Sequence, residues 1–149
     1  MNRHDFSALR PRLGILLALA GYAVAMRVLP YVLHVAAGMK IERAYDAYPW
    51  NFSPVFALAV FGGAVLSTRA ALLLSLGIYA ASDLLIAAIG GPQYGFYGFS
   101  QIFTYVGITA AACCGMPLRG RGGVLPVVTA GLAAPLAFFL VTNLGVWLT

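Results

Sequence analysis

Charge is what this chain has least of. Only 9% of its 149 residues are Asp, Glu, Lys or Arg, whereas soluble chains carry about 25%. That scarcity excludes an ordinary soluble domain. Cysteine is nearly absent as well: Cys113 and Cys114 are adjacent and lie inside an apolar stretch. They offer no disulfide framework and no zinc-ligand spacing, and they read as small packing residues. There is no nucleotide-binding motif, so any dependence on ATP must come from partners. No Ser/His pair and no metal motif is visible either, so catalytic residues, metal ligands and cofactors are all expected to be none. The net charge of +5 invites a nucleic-acid reading. The basic residues fall between apolar runs, as topology signals do, and no nucleic-acid partner is expected. Strict apolar/polar alternation is missing too, which sets aside a membrane β-barrel.

What the chain does have is apolar length. Hydrophobic residues make up 62% of it and the mean hydropathy is +0.90. In lipid, only helices and closed barrels satisfy the backbone, so one all-α domain, a polytopic transmembrane helical bundle over residues 1–149, is expected. Residues 1–12 form a basic tail. Five apparent spans follow at about 13–37, 51–67, 70–89, 99–116 and 124–148, the second short for a crossing of about 20 residues. Ala23-Val-Ala25 resembles a signal-cleavage site, but the apolar run continues well past it, so a retained first span is expected. The second span has the clearest start: Ser53 can cap the first free amides, Pro54 suits the first helical position, and Trp50 suits a membrane–water boundary. Arg69 closes that span. Pro126 and Pro135 lie within or near the fifth span, where neighbouring helices can satisfy the freed carbonyls.

Counting Lys and Arg orients the bundle. With the N-terminus in the cytoplasm, Arg3, Arg10, Arg12, Arg69, Arg119 and Arg121 lie inside, and only Lys40 and Arg43 lie outside. That asymmetry follows the positive-inside rule. Depth then follows from a rise of 1.5 Å per residue: Arg27 lies about 21 Å from the inner end of its span and Asp83 about 20 Å from the inner end of its own. Opposite charges at one level predict pairing or solvation, since each would cost about 2.5–3.5 kcal/mol alone at the bilayer centre. Gln101, Thr104, Asn143 and Trp147 fall in the same outer half, as do Asn51 and Ser53. This convergence suggests an outward-facing small-molecule pocket roofed by the connections at 38–50 and 90–98.

A second explanation stays open at each of these positions. Arg27 with Asp83 reads equally as a structural ion pair, and Asn143 with Gln101 as interhelical glue. Trp50, Tyr94, Tyr97 and Trp147 fit a boundary belt as well as a substrate clamp. His34 is a lone histidine near a helix end. On the first span, Gly14, Ala18, Gly21 and Ala25 form a stripe of small residues, while Arg27, Tyr31 and His34 form a second face. Such a stripe admits the close approach of another helix, from this chain or from a separate subunit.

Several short motifs occur together: Arg27-Val-Leu-Pro30, Asn51-Phe-Ser-Pro54 with Ala57, Phe61-Gly-Gly63, Ser82-Asp83, and Thr142-Asn143 with Trp147. This set resembles a family of small bacterial integral membrane proteins that in turn looks like the substrate-binding (S) components of energy-coupling factor (ECF) transporters. The resemblance implies a bacterial cytoplasmic membrane location. It also implies a vitamin-like or metal-type solute bound from outside, with transport driven by a separate transmembrane coupling subunit and ATPases. S components commonly dock through small residues of the first helix, a role that Ala18, Gly21 and Ala25 could fill. They generally have six spans, so the resemblance implies a sixth helix that is truncated from this sequence or supplied from elsewhere. The connection at 38–50 is also longer than the pattern implies.

The expected function is therefore capture of a small, partly aromatic solute in the outer half of the bundle. Arg27 and Asp83 would set the charge, Asn51, Gln101 and Asn143 would supply hydrogen bonds, and Tyr31 and Trp147 would line the site. The alternative is a structural or assembly subunit with no ligand of its own. An intramembrane enzyme is not expected.

Overall fold

A computed structural model describes residues 13–40, 54–121 and 123–148. Among these, all regular structure is helical. Helix α1 spans Leu13–Ala37, α2 Val55–Val65, α3 Thr68–Gly90, and a single turn, α4, Pro92–Gly95. Helix α5 spans Ser100–Gly115, runs into a 3-10 turn at Met116–Leu118, and is followed by α6, Val124–Leu148. Among the described residues, four helices are long and apolar enough to cross a membrane: α1, α3, α6, and α5 with its 3-10 extension.

Of the second expected span, 51–67, the described residues form an 11-residue helix, Val55–Val65, about 16 Å long at 1.5 Å per residue, against a hydrocarbon core of about 30 Å. Its far end is set by Ser67, which starts the next helix: the Ser67 hydroxyl accepts the Ala70 amide at 3.3 Å. Arg69, expected to close the second span, therefore lies in the first turn of α3. Pro54 occupies the position before the first helical residue of α2, and its carbonyl accepts the Leu58 amide at 2.8 Å. Trp50, Asn51 and Ser53 lie outside the described residues.

Helix α1 packs on α3, α3 also meets α2 and α5, and α5 carries α6 on its other side. The short α2 sits between two buried clusters. One joins Ala59, Val60 and Ala64 to Ala111, Ala112 and Ala134. The other joins Val55 and Leu58 to Ala23, Ile78, Tyr79 and Ile108. Small residues dominate where the backbones come closest. A Cβ on Gly63 would strike the Ala112 carbonyl, and one on Gly115 would strike the Val60 carbonyl. Only hydrogen at these two positions permits the α2–α5 crossing, the packing logic that small residues serve between membrane helices.

Arg119 locks the basic end of the bundle. Its Nε donates to the Gly63 carbonyl at 2.8 Å, Nη2 to the Leu66 carbonyl at 2.9 Å and Nη1 to the Thr68 hydroxyl at 3.0 Å. The carbonyls of Gly63 and Leu66, left without helical partners where α2 ends, thus receive a cation, which also complements the helix dipole. A residue that reads as a topology signal in the sequence is here a structural clamp.

Candidate functional site

The polar centre of the bundle is built on α3. Tyr79, Ser82 and Asp83 fall on one face because residues three and four apart are neighbours on a helix. Asp83 is 2% exposed, in a setting where a lone carboxylate would be strongly disfavoured. Arg27 reaches it from α1: Nη2 donates to Oδ1 at 2.8 Å. The same guanidinium donates through Nη1 to the Ser82 hydroxyl at 2.5 Å and to the Tyr79 carbonyl at 3.4 Å. Its Cζ lies 3.6 Å from the centre of the Tyr79 ring, a cation–π contact that is worth most when desolvated.

The other carboxylate oxygen faces α5. Gln101 Nε2 donates to Asp83 Oδ2 at 3.1 Å, and the Tyr105 hydroxyl donates to the same oxygen at 2.9 Å. Gln101 and Tyr105 are themselves four residues apart and share a face. Asp83 thus ties together the two helices that α3 separates, with both oxygens hydrogen-bonded.

The connection between α3 and α5 closes over this cluster. Gln101 Nε2 also donates to the Gly95 carbonyl at 3.0 Å. Gly95 is buried so tightly that a Cβ there would strike the Asp83 carbonyl and sit 2.6 Å from the Ala87 methyl. Tyr94 packs on Tyr31 with ring centroids 5.5 Å apart and meets His34 edge-on at 6.2 Å. Farther along, the half-buried Tyr97 phenol is raised from its ordinary value of 10.0, chiefly by burial, with a hydrogen bond to Thr104 opposing the shift. His34 Nδ1 donates to the Met39 carbonyl at 2.7 Å, which helps to end α1.

The structure therefore brings together Arg27, Asp83 and Gln101, with Tyr31 on the rim. Asn143 and Trp147 stand apart. Asn143 donates to the Phe139 carbonyl of its own helix at 2.7 Å and is exposed, and Trp147 is 91% exposed. Asn51 lies outside the described residues. Gly14, Ala18, Gly21 and Ala25 are all exposed, so no described helix covers the small stripe of α1. Tyr79 and Tyr105 belong to the cluster but were not foreseen; the signal that could have found them is their four-residue spacing from Asp83 and Gln101. Among the described residues, no three His, Cys, Asp or Glu side chains gather in a metal-binding group.

Fold and cluster together define a helical bundle of membrane-spanning character, pinned among its described residues by one ion pair. The chain belongs, over residues 7–149, to a family of unknown function (DUF6580). No curated protein and no solved structure matches it.

Proposed function

We propose that this chain is the solute-binding subunit of a membrane uptake system, holding a small, partly aromatic, vitamin-like solute beside Arg27 and relying on a separate energy-coupling module. The observation that carries this reading is the Arg27–Asp83 pair itself, an ionised couple kept inside an otherwise apolar bundle. Ionisable groups at such depth are costly to retain and commonly mark a solute path. The Arg27 side chain is 18% exposed while Asp83 is 2% exposed. In this reading Asp83 orients the guanidinium, and a solute acceptor meets the exposed fraction of the Arg27 side chain. Tyr31, Tyr94 and Tyr97 lie on the side of the cluster closed by the α3–α5 connection, where an aromatic solute would stack. The bare small-residue stripe of α1 suits the coupling subunit that the ECF-like reading requires, in a bacterial cytoplasmic membrane with the N-terminus inside. The reading assigns the chain no reaction of its own.

A second reading, a structural or assembly subunit, draws support from a different observation: both oxygens of Asp83 are already occupied by side chains of the bundle. Small molecules released from purified wild-type and Tyr31→Ala proteins separate the two. A binding subunit releases a defined solute, reduced about two- to tenfold in Tyr31→Ala at unchanged protein level, the equivalent of one aromatic contact. An assembly subunit releases none from either protein.

A further inference from the structure

At the basic end of the bundle, an open groove of about 530 Å³ lies between the end of α5 and the start of α6. Its walls are Cys114, Leu118, Pro126, Thr129, Ala130 and Ala133, and Arg121 stands at the end where the α5–α6 turn closes it. The wall residues of α6, from Pro126 to Ala133, cover about 10 Å of helix at 1.5 Å per residue and are small or apolar, which suits an apolar occupant. Thr129 does not change that character, because its hydroxyl is turned back onto the Leu125 and Pro126 carbonyls at 3.0 and 2.9 Å.

The two arginines of this turn are used differently. Arg119 is spent on Gly63, Leu66 and Thr68. Among the described residues, Arg121 is held by one long contact, Nη1 to the Pro117 carbonyl at 3.5 Å, and it is exposed. Its position is set by backbone rather than by side-chain partners. Gly120 adopts φ +67°, a conformation that disfavours other residues, and the Arg121 amide donates to the Leu118 carbonyl at 3.0 Å. The turn thereby returns the guanidinium to the groove.

We infer that this groove seats an anionic phospholipid, with an acyl chain along α6 between Cys114 and Ala133 and the headgroup phosphate on Arg121. Charge and shape agree on that occupant. An apolar channel at membrane depth suits an acyl chain, and a guanidinium at its polar mouth recognises phosphate in a forked, bidentate way. Basic pockets between membrane helices are a general means of binding anionic headgroups. Neutral lipid would fill the channel but gain less from the arginine.

The test titrates the detergent-solubilised full chain with dioleoyl phosphatidylglycerol or dioleoyl phosphatidylcholine and counts retained lipid by native mass spectrometry. Wild type is expected to hold the anionic lipid about fivefold more tightly, the worth of one basic residue against an anionic headgroup. Arg121→Gln should bring the two lipids within about twofold of each other, while Lys40→Gln at the opposite end keeps the preference. Ala133→Phe, which fills the channel and leaves every arginine in place, should lower retention of both lipids. Equal retention of the two lipids by wild type, an equal loss in Lys40→Gln and Arg121→Gln, full retention by Ala133→Phe, or displacement of the lipid by inorganic phosphate would each overturn the inference.

Discussion

At the scale of single residues, Asp83 governs the account because its charge and its burial are in direct conflict. Arg27 resolves that conflict, and removing either partner strands the other in an apolar setting. Asp83→Ala or Arg27→Ala should therefore destabilise the bundle by about 3 kcal/mol, the usual scale for breaking a buried pair. The double variant should recover part of the loss, since no lone charge is left behind. Tyr105→Phe removes one hydrogen bond to the same carboxylate and should cost only about 0.6–1.7 kcal/mol, the range for interhelical bonds in membranes. Unfolding of wild type and the four variants in mixed micelles measures all four differences. Additive single-variant losses in the double would show that Arg27 and Asp83 act independently, against the geometry described above. The meeting of these two residues was legible in the sequence, because counting along a helix gives height directly. The direction a side chain faces was not legible. Asn143 and Trp147 were placed in the outer half by the same counting, yet they lie on an exposed face of α6, because packing sets the rotation of a helix about its own axis.

At the scale of elements, the bundle is held by backbone proximity more than by bulky interlocking. The test is a pair of glycines. Gly63→Ala places a methyl against backbone that cannot move aside, so a loss of about 1–3 kcal/mol is expected from overpacking. Gly77 on α3 has open space around it, so Gly77→Ala should be neutral or gain up to about 1 kcal/mol from helix propensity. Thermal melting of the two variants distinguishes them, and equal effects would mean that the α2–α5 crossing is not tight. The first and last helices were readable because long, mainly apolar runs fix their own ends: residues 13–37, despite Arg27 and Pro30, and 124–148 of the sequence became α1 and α6. The second span was harder to read, since hydropathy does not reveal that Ser67 caps α3 and so ends the run early. Arg119 was opaque for a related reason. Its three bonds reach residues 51 to 56 positions away, and nothing local announces such a clamp.

At the scale of the whole molecule, the two outer faces differ from the interior in what they ask for. Among the described residues, the interior pairs Arg27 with Asp83 and makes its closest backbone approaches at glycine. The faces of α1 and α6 are largely exposed, and they call for lipid or for protein partners. On α1 the small stripe offers a partner helix close contact, and on α6 the groove beside Arg121 offers lipid a seat. If the Arg27 cluster holds a solute, as proposed, native mass spectrometry of the intact chain, extracted from its own host membrane in mild detergent, will show a species heavier than the chain by one small, defined, non-lipid molecule. That molecule is lost on conversion of Arg27 to Gln. A chain that emerges bare, or carrying phospholipid alone, would mean that the cluster only holds helices together.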